Sequence, residues 1–347
     1  MQRPSYLLFF GLAAVGIGLV AVLVTATSLR APYGTVPIEE PVATPTPKHA
    51  TLVAVGDIML GRNVEKWMLQ EGDDYPFRAI TPFFQEHDLV LANLEGPIPK
   101  QHRPTPSGST TFSFRKEAVL ALAASGIDIV SLANNHTYDQ GRDNVSHTRS
   151  VLIDAGIIPF GDQRSSDMMH IVSTTIHGRH IIFAGYNDVY GILDLPGAVR
   201  AIQNTRAMNT SSFIIAYIHW GDEYTLVGNK RQQHIAHQIV DAGVDVVIGH
   251  HPHVVQHIEE YDGKLIFYSL GNFIFDQYFS KDTQEGLGVT LTWTDTGVTY
   301  TLHPIDIVKS QPVLMAEPKR TPWLDALAKR SDPTLLDEIK KGTVSLP

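Results

Sequence analysis

The sequence predicts a layered protein of the α/β or α+β class, with helices outside a core of strands. Two patterns carry that expectation. Short apolar runs rich in Val, Ile and Ala recur along the chain and each ends in polar residues: TLVAVGD, DLVLANLE, DIVSLANNH, FIIAYIHWGD and DVVIGHH. Runs of this kind, continuous rather than alternating, suit strands covered on both faces. Between them lie segments whose apolar residues fall three or four apart, over Phe77–Glu86, Lys116–Ser125, Asp143–Ala155 and Arg231–Ala242. That spacing is helical, and the last two segments end in Ala-Gly, a common helix stop.

Taken in order, the chain opens with an uncharged stretch, YLLFFGLAAVGIGLVAVLVTA, from Tyr6 to Ala26. At ~1.5 Å per residue a helix of this length spans the ~30 Å hydrocarbon core of a bilayer. A cleaved signal has a shorter apolar region of ~7–15 residues, so residues 1–26 read as a retained anchor with the following domain outside the cell. The alternative is secretion after cleavage near Ala26, where Val24-Thr25-Ala26 is an acceptable small-residue site. Residues 27–49 carry Pro32, Pro37, Pro41, Pro45 and Pro47 and few large apolar residues, and read as an extended spacer.

The folded domain is expected over 50–309. Beyond the five runs, further strands are expected from about Met169 to Tyr186 and from Leu265 to Asp306, where TDTG separates two alternating runs. Residues 310–347, rich in proline and charge, read as a peripheral tail with a short helix at Trp323–Arg330. No internal repeat is visible.

Composition narrows the chemistry. A hydrophobic content of 43% and a charged content of 18% describe a folded protein, and 347 residues bury a full core. The formal net charge of −9 argues against a general nucleic-acid partner. Cysteine is absent, so any metal must be held by His, Asp, Glu or Asn.

The polar strand ends are the candidate site. The runs stop at Gly56-Asp57, Asn93-Leu94-Glu95, Asn134-Asn135-His136, His219-Trp220-Gly221 and His250-His251-Pro252-His253. In layered α/β proteins the loops after the carboxyl ends of strands converge on one crevice. Two carboxylates, an amide and several imidazoles brought together suit a borderline divalent ion such as Zn²⁺, Mn²⁺ or Fe²⁺. Each residue alone has a simpler reading. Asp57 is able to cap a helix beginning near Asn63, Glu95 to sit exposed in a turn, Asn134 and Asn135 to hold a tight loop, and His219 to be a hydrogen-bonded core residue. Five such accidents at five successive strand ends is the weaker account.

The pieces VGDIMLGR, LANLEGPI, SLANNHTYDQG, IHWGDEY, GHHPHVVQ and YSLGNFIFDQ resemble, in this order, the CapA-type proteins of capsule and poly-γ-glutamate synthesis over residues 51–277. That family is similar in fold to the calcineurin-like metallophosphoesterases, which implies a layered β core flanked by helices. The resemblance implies that Asp57 is the first-motif carboxylate and Glu95 the bridging acid. It also implies that Asn135 and His219 are ligands, that His251 and His253 form the closing His-x-His, and that His136 contacts substrate or leaving group. His250 stands where the phosphoesterase pattern has Gly, and is a neighbour rather than a ligand. Met59 stands where that pattern has His, and a thioether does not replace an imidazole for a hard divalent ion. Asn134, Asp222, Glu223 and Asn272 are expected as supporting or substrate contacts.

The function implied is that of a membrane-anchored extracytoplasmic protein with one or two divalent ions. It would hydrolyse or transfer groups in the synthesis, export or release of an anionic polymer. Its partners would be that polymer, the membrane and membrane-bound synthase subunits. The rival expectations are a non-catalytic accessory subunit of a synthase complex and a general metallophosphoesterase.

Overall fold

In the computed structural model, residues 49–161 and 171–346 are described; the expected anchor, nearly all of the spacer, and Met169 lie outside them. Among the described residues no helix is long and apolar enough to cross a membrane. The first half runs β1 (Thr51–Ile58), α1 (Arg62–Glu71), α2 (Thr81–Phe84), β2 (Leu89–Leu94), α3 (Lys116–Ala124), β3 (Ile129–Ser131), α4 (Arg142–Asp154) and β4 (Ile158–Phe160). The second continues β5 (Ile171–Ile176), β6 (Arg179–Asn187), α5 (Leu195–Met208), β7 (Phe213–His219), α6 (Lys230–Asp241) and β8 (Val246–His250). Then come β9 (Ile258–Tyr261), β10 (Lys264–Phe267), β11 (Asn272–Ile274), β12 (Glu285–Thr294), β13 (Gly297–Val308) and β14 (Gln311–Leu314). The chain closes with α7 (Arg320–Arg330), α8 (Leu336–Lys341) and β15 (Thr343–Leu346).

These strands form two sheets. The first has the order β14-β13-β12-β1-β2-β3-β4, with β11 pairing β1 and β15 pairing β13; the second is β5-β6-β7-β8-β10-β9. Side chains that alternate along each strand sort into separate layers, as the two-residue period of a strand requires. Leu52, Ala54 and Leu91 face Phe183, Ile215, Tyr217 and Ile248 in the core between the sheets. Val53, Val55, Val90 and Val130 turn outward beneath Val64 and Met68 of α1, Val119 and Leu122 of α3 and Leu152 of α4. On the far side, Ile182, Ile214, Ala216 and Val247 are covered by Ile202 of α5 and by Ile235 and Ile239 of α6. The architecture is therefore mixed α/β with two sheets and helices on both outer faces.

The parallel pairs β1–β2, β2–β3, β6–β7 and β7–β8 aim their carboxyl ends at one edge of the sandwich. Strand β1 changes partner as it arrives there. It pairs antiparallel with β12 over Thr51–Ala54, then parallel with β11, so that Asp57 stands opposite Asn272 on one side and Asn93 on the other. Gly56 permits the switch, since a Cβ there would overlap the Gly271 carbonyl oxygen.

Two expectations change, and one simpler reading is ruled out. The helix expected over Phe77–Glu86 is a 3₁₀ turn at Tyr75–Phe77 and the four-residue α2, because Pro76 and Pro82 each start a new turn. Asp57 does not cap α1. Gly61 is the N-cap with no side-chain bond, and Asp276 Oδ2 accepts from the Asn63 N–H at 3.1 Å. Residues from 310 onward are not a peripheral tail: β14 and β15 extend the first sheet, and Trp323, Leu324, Leu327, Ala328, Leu335, Ile339 and Val344 are buried in the inter-sheet core. Proline and charge dominate the composition there, yet the apolar residues of α7 fall on one face and that face plugs the sandwich.

Leu324 is fully buried. Leu324→Ala is expected to cost about 2–5 kcal/mol in urea unfolding, a loss that a solvated tail would not show.

Candidate metal centre

Every residue proposed as a ligand from sequence arrives at the same edge of the sandwich. Asp57 is the last residue but one of β1, Glu95 follows β2, Asn135 follows β3, His219 ends β7, and His251 and His253 follow β8. Asp57, Glu95, His219, His251 and His253 are all buried, and Asp57 and Glu95 are fully so.

Asp57 is the most connected. It accepts from Asn93 Nδ2 at 2.8 Å, His250 Nδ1 at 3.1 Å and the His251 N–H at 3.3 Å, and His253 Nδ1 lies 3.5 Å away. Burial disfavours its charge, but the bonds from His250 and His253 outweigh that and hold its carboxyl well below the usual range. Glu95 is the opposite case. Neither of its oxygens has a hydrogen-bond partner among the described residues, and burial pushes its carboxyl well above the usual range. His253 Nε2 and His136 Nε2 each stand 3.7 Å from Glu95 Oε1, too long for a hydrogen bond.

The imidazoles carry complementary perturbations. Burial, then the neighbouring histidine charges, keep His219 well below its ordinary value and bring His251 down to about 3. His253 is raised to about 9: burial opposes this, and the carboxylates of Glu95 and Asp57 drive it. His219 Nε2 meets Asn135 Oδ1 at 2.8 Å, and His251 Nδ1 is buried with no hydrogen-bond partner among the described residues.

A buried carboxylate with two orphaned oxygens, beside neutral imidazoles and a second carboxylate, fits a divalent cation. The donor atoms group accordingly: Asp57, Glu95 and His219 offer one set and Glu223, His251 and His253 another, with all atoms of a set within 4.8 Å of one another. Glu223, expected only as a supporting or substrate contact, is thus a candidate donor itself. The Met59 thioether accepts from the Gly61 N–H at 3.0 Å and is packed in the outer core, so it offers nothing here.

The remaining expectations divide. Asn272 supports the centre: its Oδ1 lies 2.9 Å from His253 Nδ1, while its amide nitrogen donates to Gln277 Oε1 and the Thr283 carbonyl. That bond orients the His253 ring and leaves Nε2 facing Glu95. Asn134 has the simpler role. Its amide nitrogen donates to Asn93 Oδ1 and the Leu94 carbonyl, and its oxygen accepts from the His136 N–H and the Thr137 hydroxyl. Asp222 accepts from Asn229 Nδ2 at 2.7 Å and braces its own loop. His250 does not join either donor set; its ring lies 4.1 Å from that of Tyr217 and its Nδ1 steadies Asp57.

His136 is partly exposed beside the centre, with its ring 4.1 Å from that of Phe112. Its Nδ1 is 2.9 Å from Asp139 Oδ2, an oxygen that also accepts from the Phe112 N–H at 2.6 Å. Asp139 therefore fixes the tautomer and points Nε2 toward Glu95. Asp139 and Asn93 both lie inside motifs that the sequence brings forward, yet nothing in those motifs singles them out. Asn93 bridges Asp57, His219 and Asn134. Arg62, also unanticipated, pairs with Asp276 and lies over the rings of Phe112 and Phe275.

The model of the family described as bacterial capsule synthesis protein PGA_cap matches residues 51–277, from the start of β1 to just past β11. The chain belongs to this family. Within it, the PGA biosynthesis protein CapA of Bacillus subtilis is 33% identical over 273 residues, covering 74% of this chain and 72% of that one. The capsule biosynthesis protein CapA of Bacillus anthracis is 29% identical over 306 residues, 82% of this chain and 72% of that one. A crystal structure of a hypothetical protein from Thermus thermophilus superposes with a TM-score of 0.50 at 14% identity, covering 73% of this chain and 99% of that one. At that identity the likeness is one of fold.

His253, raised to about 9 by the carboxylates of Glu95 and Asp57 against its burial, carries a proton near neutral pH that a bound ion would displace. Calorimetry with Mn²⁺ in buffers of different ionisation enthalpy is expected to show proton release, with affinity rising up to about tenfold per pH unit between about pH 6 and 8. A pH-independent affinity would contradict this electrostatic account.

Proposed function

We propose that this chain acts outside the cytoplasm, held to the membrane by Tyr6–Ala26, in the synthesis, export or release of an anionic capsule polymer of the poly-γ-glutamate type. Its cleft carries out hydrolysis or group transfer with a divalent ion. The observation that supports metal chemistry is the fully buried Glu95, whose two oxygens have no hydrogen-bond partner among the described residues. The polymer class is supported by the family and by the names of its Bacillus members.

Asp57, Glu95, Asn135, His219, His251 and His253 would hold the metal, as one ion or two. Bound there, it supplies Lewis acidity and a nucleophile near neutral pH. The chain's own contribution begins with Asn272 and Asn93, which fix the orientations of His253 and Asp57 through the bonds described above. His136 delivers a proton to the leaving group from Nε2 while Nδ1–H remains on Asp139. Phe112 covers one face of that imidazole and limits water around it.

Two variants of the full chain test this. Glu95→Gln is expected to lose both bound metal and polymer production. His136→Ala is expected to retain metal and lose about 10²–10⁴-fold in turnover. Wild-type polymer production by a metal-free Glu95→Gln protein would overturn the catalytic reading. If production then failed only when Tyr6–Ala26 was replaced by an unrelated anchor, the protein would be an accessory subunit.

A further inference from the structure

Glu223 is exposed on the loop after β7, yet that loop is built as if to hold it still. Gly221, at φ 85°, makes the turn that β7 needs, and a Cβ there would meet the Gln232 side chain at 2.5 Å. Asp222 accepts from Asn229 Nδ2, and its carbonyl accepts from Thr225 Oγ1 at 2.9 Å. Gln256 Nε2 donates to the Thr225 carbonyl at 2.9 Å. Next, the Tyr224 N–H donates to the Pro252 carbonyl at 2.8 Å and ties the loop to the turn bearing His251 and His253. In the same turn His251 and His253 adopt φ of 93° and 57°, a conformation side chains rarely take, which aims both rings at this one place. Of the adjacent acids, Asp222 is committed to bracing the loop and Glu223 shares a donor set with the two imidazoles.

We infer that Glu223 is a metal ligand, and that with His251 and His253 it forms a second, solvent-open cation position beside the buried one formed by Asp57, Glu95 and His219. This rests on the metal-centre reading above. A second, independent sign is His251 Nδ1, a nitrogen with no hydrogen-bond partner among the described residues, on a residue only 5% exposed. Charge gives the reason for a third carboxylate. Asp57 and Glu95 balance one dication, and a second held by imidazoles alone would leave a large unbalanced charge. Glu223 reduces that excess without cancelling it, so the loaded cleft stays positive and attracts a polyanion. Exposure sets the order of binding. The buried position fills first and tightly, and the open one exchanges its ion and leaves room for a carboxylate of the polymer.

The test is Mn²⁺ binding to the metal-stripped full chain, followed by calorimetry and elemental analysis. Wild-type protein is expected to take up two ions with unequal affinity. Glu223→Gln should retain the tight ion and bind the weaker one about tenfold less well or worse, whereas Asp222→Asn should keep both. Electron paramagnetic resonance of fully loaded protein should show coupled Mn²⁺ in the wild type and isolated Mn²⁺ in Glu223→Gln. Two ions in Glu223→Gln at wild-type affinity would overturn the inference, as would a single ion in both proteins, and either result leaves the buried metal centre standing. No ion in wild-type protein would overturn both readings together.

Discussion

The fold depends at its functional edge on one buried carboxylate, that of Asp57. It takes hydrogen bonds from Asn93 in the first sheet and from His250 and the His251 backbone in the second, so it joins the two sheets where their strands end. Nearby, the Tyr217 hydroxyl donates to the Val55 carbonyl at 2.8 Å and makes a second link between the same sheets. A sandwich needs only apolar contact to hold its layers together. These polar links add register: they fix how far one sheet slides along the other, and so fix the spacing between donors that come from different sheets. Removing the Asp57 carboxylate would leave three inward-pointing donors unsatisfied at the seam.

Much of the fold was legible because the chain obeys the two-face rule for covered strands. The runs ending in Asp57, Glu95, Asn135 and His219 read as strands with polar ends, and those ends meet. The legible site residues are those whose type and position both matter, since a carboxylate or imidazole directly after an apolar run has few ordinary uses. Asn134 shows the limit. It stands in the same motif as Asn135, but its amide is occupied by Asn93, Leu94, His136 and Thr137, and no local pattern distinguishes the two neighbours. Asp139 and Asp276 were not legible because their roles are set by contacts distant in sequence or across a loop, with Phe112 and with Asn63 and Arg62 respectively. The C-terminal segment misled for a compositional reason: Pro318, Pro322 and Pro333 with the flanking charges suggest solvation, while Trp323, Leu324 and Leu327 lie on the one helix face that is buried.

Methionine at position 59 of the first motif has a structural counterpart. The thioether accepts from the Gly61 N–H and packs into the outer core, so this position serves the turn into α1. The donor sets accordingly draw on the opposite wall of the cleft, where the loops after β7 and β8 are tied together through Tyr224 and Pro252. A centre arranged in this way is weighted toward the second sheet.

The contact between Phe112 and Asp139 joins two parts of the molecule that a chemist would wish to treat separately. Phe112 ends a polar segment, residues 99–111, that is anchored to α1 where His102 Nε2 lies 2.7 Å from Glu65 Oε1 and to Arg62 through the Ser109 carbonyl. The same Phe112 supplies an N–H to Asp139 and a ring to His136. Lifting that segment to admit a long chain would therefore disturb the carboxylate that aims the imidazole, and lowering it would restore the aim. Under the proposed function, admission of a polymer and orientation of the His136 ring would be coupled like a latch and its striker.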